Sequence, residues 1–344
     1  MSFKFLFTLT SFLIVNSSIA CDFCGCYMGI TPYDNHSNIS VLYRYKSFNG
    51  YPYQNQKNLL FPTTRKYSVT PNTSNHNGLR HGAHTSGVTD SVKSQRDYEV
   101  FTTAELRGKF FIHQRIELNV VVPFVMNYNR MNEKKQSING IGDINAFAAY
   151  HLISKILTEK YQHRLILGGG VKLPFGDYYQ KNRDAYRIDY MLQPGTGSVD
   201  YLGFVNYVFG YKKMGLNFNS TYKVNGENYY LERIGNSTTN YLNLFYKFRQ
   251  EEIFKIFPSV QAYYEYSKGL YINDVHQGAT TMNIFNAGVG VDLFYKNFAL
   301  NMSFQLPVYE QKYESNMANT SKVMVGLTYN FNQTKYLIKS KKKE

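Results

Sequence analysis

Lys322-Val323-Met324-Val325-Gly326-Leu327-Thr328-Tyr329-Asn330-Phe331 is the stretch whose reading decides the fold. Val323, Val325, Leu327, Tyr329 and Phe331 form one apolar row. The interleaved Met324, Gly326, Thr328 and Asn330 are small or polar apart from Met324. Period two over such a length makes a β-strand with two unlike faces. Residues 298–307 repeat the pattern, with Phe298, Leu300, Met302, Phe304 and Leu306 set against Ala299, Asn301, Ser303 and Gln305. Residues 216–225 do so again, with Leu216, Phe218, Tyr222 and Val224 set against Asn217, Asn219, Thr221, Lys223 and Asn225.

Twelve runs of this kind are spread along the chain, at 38–48, 97–112, 115–126, 141–153, 163–174, 197–209, 215–225, 239–249, 254–266, 279–294, 298–308 and 321–332. Each is close to, or somewhat longer than, the roughly 9–11 residues that carry a tilted strand through a bilayer. The links between them alternate in length. Long ones fall near 49–96, 127–140, 175–196, 226–238, 267–278 and 309–320, and short ones near 113–114, 154–162, 210–214, 250–253 and 295–297. A soluble sandwich has no reason to sort its links, whereas an outer-membrane barrel joins its strands by short periplasmic turns and long extracellular loops. The expected fold is therefore all-β, an antiparallel up-and-down transmembrane β-barrel of about twelve strands in a Gram-negative outer membrane. An even strand count leaves the N- and C-termini together in the periplasm.

Composition agrees. Of the 344 residues 43% are hydrophobic, yet mean hydropathy is only −0.39, so the apolar residues are finely interspersed with polar ones. Tyr (32) and Phe (25) supply every aromatic ring, and Trp is absent. Several tyrosines stand near strand ends, among them Tyr43, Tyr45, Tyr128, Tyr178, Tyr179, Tyr229, Tyr230, Tyr263, Tyr264, Tyr266, Tyr309 and Tyr313. Amphipathic rings there fit the two interfacial girdles of a membrane protein. The net charge of +14 is not gathered into one basic domain, which argues against a nucleic-acid partner. Its only dense run is the tail 333–344, with Lys339, Lys341, Lys342 and Lys343. At the other end, Lys4, the apolar run from Phe5 to Val15 and the small residues of Ser18-Ile19-Ala20 read as a cleavable signal peptide over 1–20. The expected organisation is that leader, a Cys-rich periplasmic segment over 21–37, a barrel over 38–332 in contact with outer-membrane lipid, and the basic tail.

The polar strand faces carry charge. Glu99, Glu105, Arg107 and Lys109 share one register, opposite Tyr98, Val100, Ala104, Leu106 and Phe110. Arg44, Lys46, Glu117 and Lys172 occupy the polar register of nearby strands. A charge facing lipid at mid-bilayer costs roughly 2–4 kcal/mol, so these eight side chains are expected to face the lumen. There they either fill it as pairs or form a constriction that selects solutes. Pro123, Pro174 and Pro307 are expected at strand ends, because proline lacks the ladder donor. His113, His151 and His163 are expected near the periplasmic rim.

Three segments taken together, Gly140-Ile141-Gly142-Asp143 running into Tyr150-His151-Leu152, Gly168 to Asp177 (GGGVKLPFGD) and Gln193 to Asp200 (QPGTGSVD), carry a resemblance. Their spacing resembles the bacterial outer-membrane transporter family named for the MetA pathway of phenol degradation. Its members read close to G-x-G-D…Y-x-L, K-L-P-[TS]-G and Q-P-G-T-G-S. Phe175 and Val199 depart from that pattern. The resemblance implies a barrel with a porin-like role and no catalytic residues. Read from the residues alone, the same motifs are mainly punctuation, with Pro174 ending a strand and Gly176 permitting a turn.

All three cysteines lie in Cys21-Asp22-Phe23-Cys24-Gly25-Cys26. Three thiolates beside a carboxylate suit copper or zinc. A lipidated Cys21, or a disulfide leaving one cysteine over, are the other readings. The segment also resembles the CDxCGC start of some Bacteroidetes barrels, which points to metal handling. His76, His81 and His84 sit in the 49–96 link, where a solvated loop explains them as well as a metal site does. Passage of a small solute or metal ion through the lumen is the leading function. A non-conducting receptor or assembly protein with a plugged lumen, the 49–96 link folded inward, is the alternative. A membrane-surface hydrolase needs a His and a Ser two residues apart on a lipid-facing strand, and the one such pair, His84-Thr85-Ser86, falls in a loop.

Overall fold

The structure is a computed structural model that describes residues 36–50, 58–60, 97–131, 134–158, 161–182, 185–250, 253–277, 280–311 and 317–331. The expected leader, the three cysteines, the three loop histidines and the basic tail lie outside the described residues.

Twelve long strands make the wall. They are β1 (Ser37–Asn49), β2 (Tyr98–His113), β3 (Ile116–Met131), β4 (Ile144–Thr158), β5 (Tyr161–Leu173) and β6 (Asp200–Tyr211), followed by β7 (Met214–Val224), β8 (Ser237–Tyr246), β9 (Phe254–Ser267), β10 (Met282–Tyr295), β11 (Phe298–Gln311) and β12 (Asn319–Phe331). Each pairs antiparallel with its neighbours in sequence. The sheet closes through β1 and β12, from Ser37↔Phe331 to Phe48↔Asn319. Closure leaves no unpaired edge. The fold is thus the expected closed, twelve-stranded antiparallel barrel.

Its burial is inverted relative to a soluble protein. Leu327 is 52% exposed on the outside, while Met324, three residues earlier, is 4% exposed on the inside. Val41, Leu106, Val260 and Val289 join the exposed outer surface, and Arg44, Glu105, Asn243 and Gln305 are buried within. An apolar band of this extent is costly in water and is matched by lipid.

One end of the barrel carries tight turns, Gln114-Arg115, Lys212-Lys213 and Lys296-Asn297 among them, and the other carries long links. Several links are themselves ordered. A hairpin of Leu270–Ile272 and Val275–His276 turns through Asn273 and Asp274, both left-handed (φ 50° and 60°), as a tight primed turn requires. It pairs with Glu232–Ile234 to form a small second sheet. Asn58–Leu60 pairs with the loop-end stretch of β11, so this part of the 49–96 link extends the wall.

The structure departs from the sequence reading at Pro123. This residue lies inside β3 and not at its end. Lys134–Ile141 pairs with the outer half of β3 and β4 with the inner half, and between them Val122 and Pro123 face Gly142, Asp143 and Ile144. This is a β-bulge, and the missing N–H of proline falls where the ladder is already broken. Likewise Pro307 lies within β11, beside an irregularity at Phe285/Asn286. The expected strand at 141–153 is therefore the continuation of a hairpin that starts at Lys134.

Candidate functional site

The candidate site is the lumen, and the bulge builds one side of it. The extra residue aims Asp143 inward, fully buried. Its Oδ1 accepts from the backbone N–H of Gly176 (3.0 Å), and its Oδ2 accepts from the N–H of Thr196 (2.9 Å). Lys172, from β5, places Nζ 2.8 Å from both Asp143 Oδ2 and Asp200 Oδ2, and also contacts the Thr196 hydroxyl. Lys223 of β7 adds a further 2.8 Å contact to Asp200. Asp200 Oδ1 accepts from Ser198 Oγ (2.9 Å) and the N–H of Gly226 (3.0 Å). Two cations, two carboxylates and three backbone donors thus tie the 174–199 link to the wall. Buried charge is tolerable when it is paired and hydrogen-bonded in this way.

The three motif segments meet here. A Cβ on Gly176 would lie 2.7 Å from Gly195 Cα, and one on Gly142 would lie 3.0 Å from the Pro194 oxygen, so these glycines permit backbone to pack on backbone. Gly168 and Gly170 face inward; Gly168 accepts the ring of Phe204, Gly170 lets the Ala146–Phe147 backbone approach, and the Phe147 and Phe204 rings meet edge to face at 5.5 Å. The sequence reading of these motifs as punctuation missed their convergence; the conjunction of Lys172 and Asp200 on neighbouring strands was the available signal.

The eight charged residues expected in the lumen all project from its inner face, in five separate groups. Glu105 is buried between Arg44, which contacts one oxygen, and Arg107, whose nitrogens lie 2.5 and 2.7 Å from the other. Lys46 reaches across the barrel interior from β1 to Glu265 of β9 (3.7 Å). Near the turn end, Glu117 meets His151 Nε2 (3.1 Å), Asn119 Nδ2 (3.2 Å) and Lys109 Nζ (3.9 Å). Lys172 belongs to the Asp143 cluster, and Glu99 accepts from Asn129 (2.7 Å) nearer the loop end. His151 lies near the turn end as expected, its N–H bonded to Arg115 O (2.8 Å), but it is 3% exposed inside the barrel and not at the interface, because the alternation of β4 puts it on the row of Phe147 and Ala149. His163 does sit on the outer row, against Tyr207 Oη (2.8 Å).

Two apolar clusters also line the interior. Phe245, Phe257, Phe294 and Ala299 pack together toward the turn end, and Ala149, Ile166, Leu202 and Phe204 pack on the opposite wall. Among the described residues, no group of three or more His, Cys, Asp or Glu has the arrangement of a metal site. Among these charged groups lies a cavity of about 90 Å³, lined by Arg44, Lys46, Lys322, Phe101 and Met282 among others.

At the loop end, Tyr178, Tyr179, Tyr229 and Tyr230 gather into one ring cluster on the links beyond the wall, a role that strand-end spacing did not reveal. Arg187 stacks over Tyr179 (4.8 Å) and Tyr230 (5.1 Å) and holds Glu232 with two contacts of 2.5 and 2.8 Å. Hydrogen bonding to Glu232 raises the pKa of this guanidinium above its ordinary value.

A closed barrel with an apolar exterior and a polar, charged interior defines the class of outer-membrane β-barrels. Among solved structures the chain is similar to an outer membrane channel from Pseudomonas putida F1, with a TM-score of 0.59 at 13% identity, covering 88% of this chain and 100% of that one. It also matches the β domain of the Bordetella autotransporter BrkA (TM-score 0.45, 8% identity, 87% and 100% covered). A further match is the transport unit of the autotransporter AIDA-I from Escherichia coli (0.43, 9%, 88% and 93%). The first likeness establishes a shared fold. The chain matches no protein-family profile and no curated protein sequence.

Proposed function

We propose that this protein is an outer-membrane channel for small solutes, with its long links facing outward and both termini in the periplasm. The observation that carries this reading is the lumen itself. Its polar faces hold ion pairs that span non-adjacent strands, such as Lys46–Glu265, around a cavity. Charges placed so close to a narrow path set which solutes pass. The three motifs extend the reading toward the phenol-degradation transporter family they resemble, and they supply scaffolding in it, with no catalytic role. Cys21, Cys24 and Cys26 would add capture of copper or zinc at the periplasmic mouth.

The alternative, a non-conducting receptor or assembly protein, draws support from the dense packing of the interior, where Glu105, Glu117 and Asn243 are almost wholly buried. Planar-bilayer recording separates the two. Purified, refolded protein is expected to give discrete conductance steps, whereas silent bilayers at several protein loadings would favour the receptor. The metal reading is checked on the same preparation: copper or zinc content should fall to background when Cys21, Cys24 and Cys26 are all changed to Ser.

A further inference from the structure

We propose that the turn Tyr190–Leu192 is a fixed crossbar over the loop-end mouth of the lumen, and that the Met191 side chain sets the size of solute that passes beside it. This deepens the channel reading, and rests on it for there being a solute to pass. The segment is a single 3-10 turn capped by Asp189, whose carboxylate accepts from the N–H of Met191 (2.8 Å). Its two ends pack on different sides of the mouth. Leu192 and Ile188 pack on Ile138 of the Lys134–Ile141 strand, with Phe101 of β2 against them. Tyr190 packs on Ile234 and Leu270 of the small second sheet, which belongs to the β7–β8 and β9–β10 links, and Met191 and Ile272 lie against that cluster. The turn therefore bridges the β2–β3 side of the mouth and the links above β7 to β10. Between these contacts Met191 borders the lumen cavity, together with Phe48, Phe101, Val125 and Met282 of β1, β2, β3 and β10.

Hydrogen bonds hold the bar in place. Asn127, on the inner face of β3, donates from Nδ2 to Leu192 O (2.9 Å). Gln193, 1% exposed, accepts from the N–H of Gln180 (3.0 Å) and donates to the carbonyls of Ile188 (2.9 Å) and Gln180 (3.1 Å). Tyr190 Oη donates to Thr196 O (3.2 Å), which also accepts from Asn228 Nδ2 (3.1 Å), and the Thr196 N–H is the one bound by Asp143. Swinging this segment aside would open several buried donors and acceptors at once, each at a desolvation cost. Moving lids are drawn from segments with few such contacts. A solute then goes past the turn, and the side chain that faces the path decides what fits. Methionine suits that position, because its unbranched thioether can change rotamer while the backbone stays where it is. Pore width acts on solutes in the same way as pore charge, as a barrier at the narrowest point.

The test places one cysteine beneath the bar. Thr103, on the inner face of β2, lines the same cavity. Thr103→Cys is made in the full chain with Cys21, Cys24 and Cys26 changed to Ser, and the folded barrel is held in amphipol. Its reaction with methyl methanethiosulfonate and with the bulkier benzyl methanethiosulfonate is followed, each rate divided by that of free cysteine. The benzyl reagent is expected to lag behind the methyl one. Met191→Gly should speed the benzyl reagent about tenfold and the methyl reagent much less, and Met191→Trp should slow both. The two variants act in opposite directions, so either one suffices if the other does not fold. Equal normalised rates with Met191 in place would mean that the turn moves aside, and would overturn the fixed bar. Rates indifferent to residue 191, or no reaction in any form, would overturn the role of Met191. Conductance on the same samples keeps the two readings apart. A silent barrel whose labelling depends on Met191 retains the crossbar and loses the channel, while a conducting barrel whose labelling and conductance ignore Met191 does the reverse.

Discussion

Two charged regions of the lumen invite comparison. Around Asp143, two lysines face two aspartates, and backbone N–H groups of Gly176, Thr196 and Gly226 complete the carboxylates. Around Lys46 and Lys322, charged side chains alternate with Phe48, Phe101 and Met282 along the lining of a cavity. The first region completes its carboxylates with backbone donors, so its energy goes into holding a link in place. The second mixes charge with apolar rings around a cavity. Buried charge alone does not distinguish scaffold from site; what surrounds the charge does.

That contrast can be broken by experiment. Asp143→Ala is expected to have the largest effect, because it removes the acceptor for two backbone donors and one of the two carboxylates that hold a fully buried Lys172. Breaking a buried pair costs about 3–5 kcal/mol, so the temperature at which the barrel unfolds on SDS gels should fall sharply. An unchanged transition would refute the scaffold role. Gly176→Val should come next, since a Cβ there meets Gly195 Cα at 2.7 Å and backbone must move. A loss of roughly 1–3 kcal/mol is expected, read as lower heat resistance and faster proteolysis of the 174–199 link.

Lys322→Met tests the other region, and the expected outcome is of a different kind. Removing one of two facing lysines should change thermal stability by no more than about 1 kcal/mol, while reversal-potential measurements shift toward cations. A large loss of stability with unchanged ion preference would make this region scaffold as well. The smallest effect is expected at Asp274, which is 84% exposed and lies 3.4 Å from Arg233. Asp274→Asn should change stability by less than about 0.5 kcal/mol, because exposed pairs are screened by water and salt.

The strand pattern was legible because lipid and lumen impose opposite chemistry on alternate residues. Val323 to Phe331 reports both faces at once, and the lumen positions of Arg44, Glu105 and Glu117 follow from parity. Parity fails at a bulge, and this is why Asp143 could not be placed: its inward aim depends on three residues facing two, which no periodic pattern announces. His151 was placed by its distance from a strand end when its register was the better guide. Pairings across the lumen, such as Lys46 with Glu265, depend on the tilt and closure of the whole sheet and leave no local trace. Tyr179 and Tyr230 looked like girdle residues because composition cannot tell a ring at an interface from a ring stacked on a neighbouring link.

The order of the sheet also bears on how the chain assembles. Among the twelve long strands, every pairing except one joins strands consecutive in sequence, so each can form as soon as its second strand arrives. The exception is β1 with β12, which brings Ser37 to Phe331 and waits for the entire chain. Until that seam closes, the polypeptide is an open sheet with two raw edges, prone to pair with other copies of itself. The seam also carries the facing lysines, Lys46 and Lys322, so the last contact to form during biogenesis includes an electrostatically unfavourable pair. Truncation within β12 should therefore leave most of the wall able to form and yet produce aggregates in place of barrels.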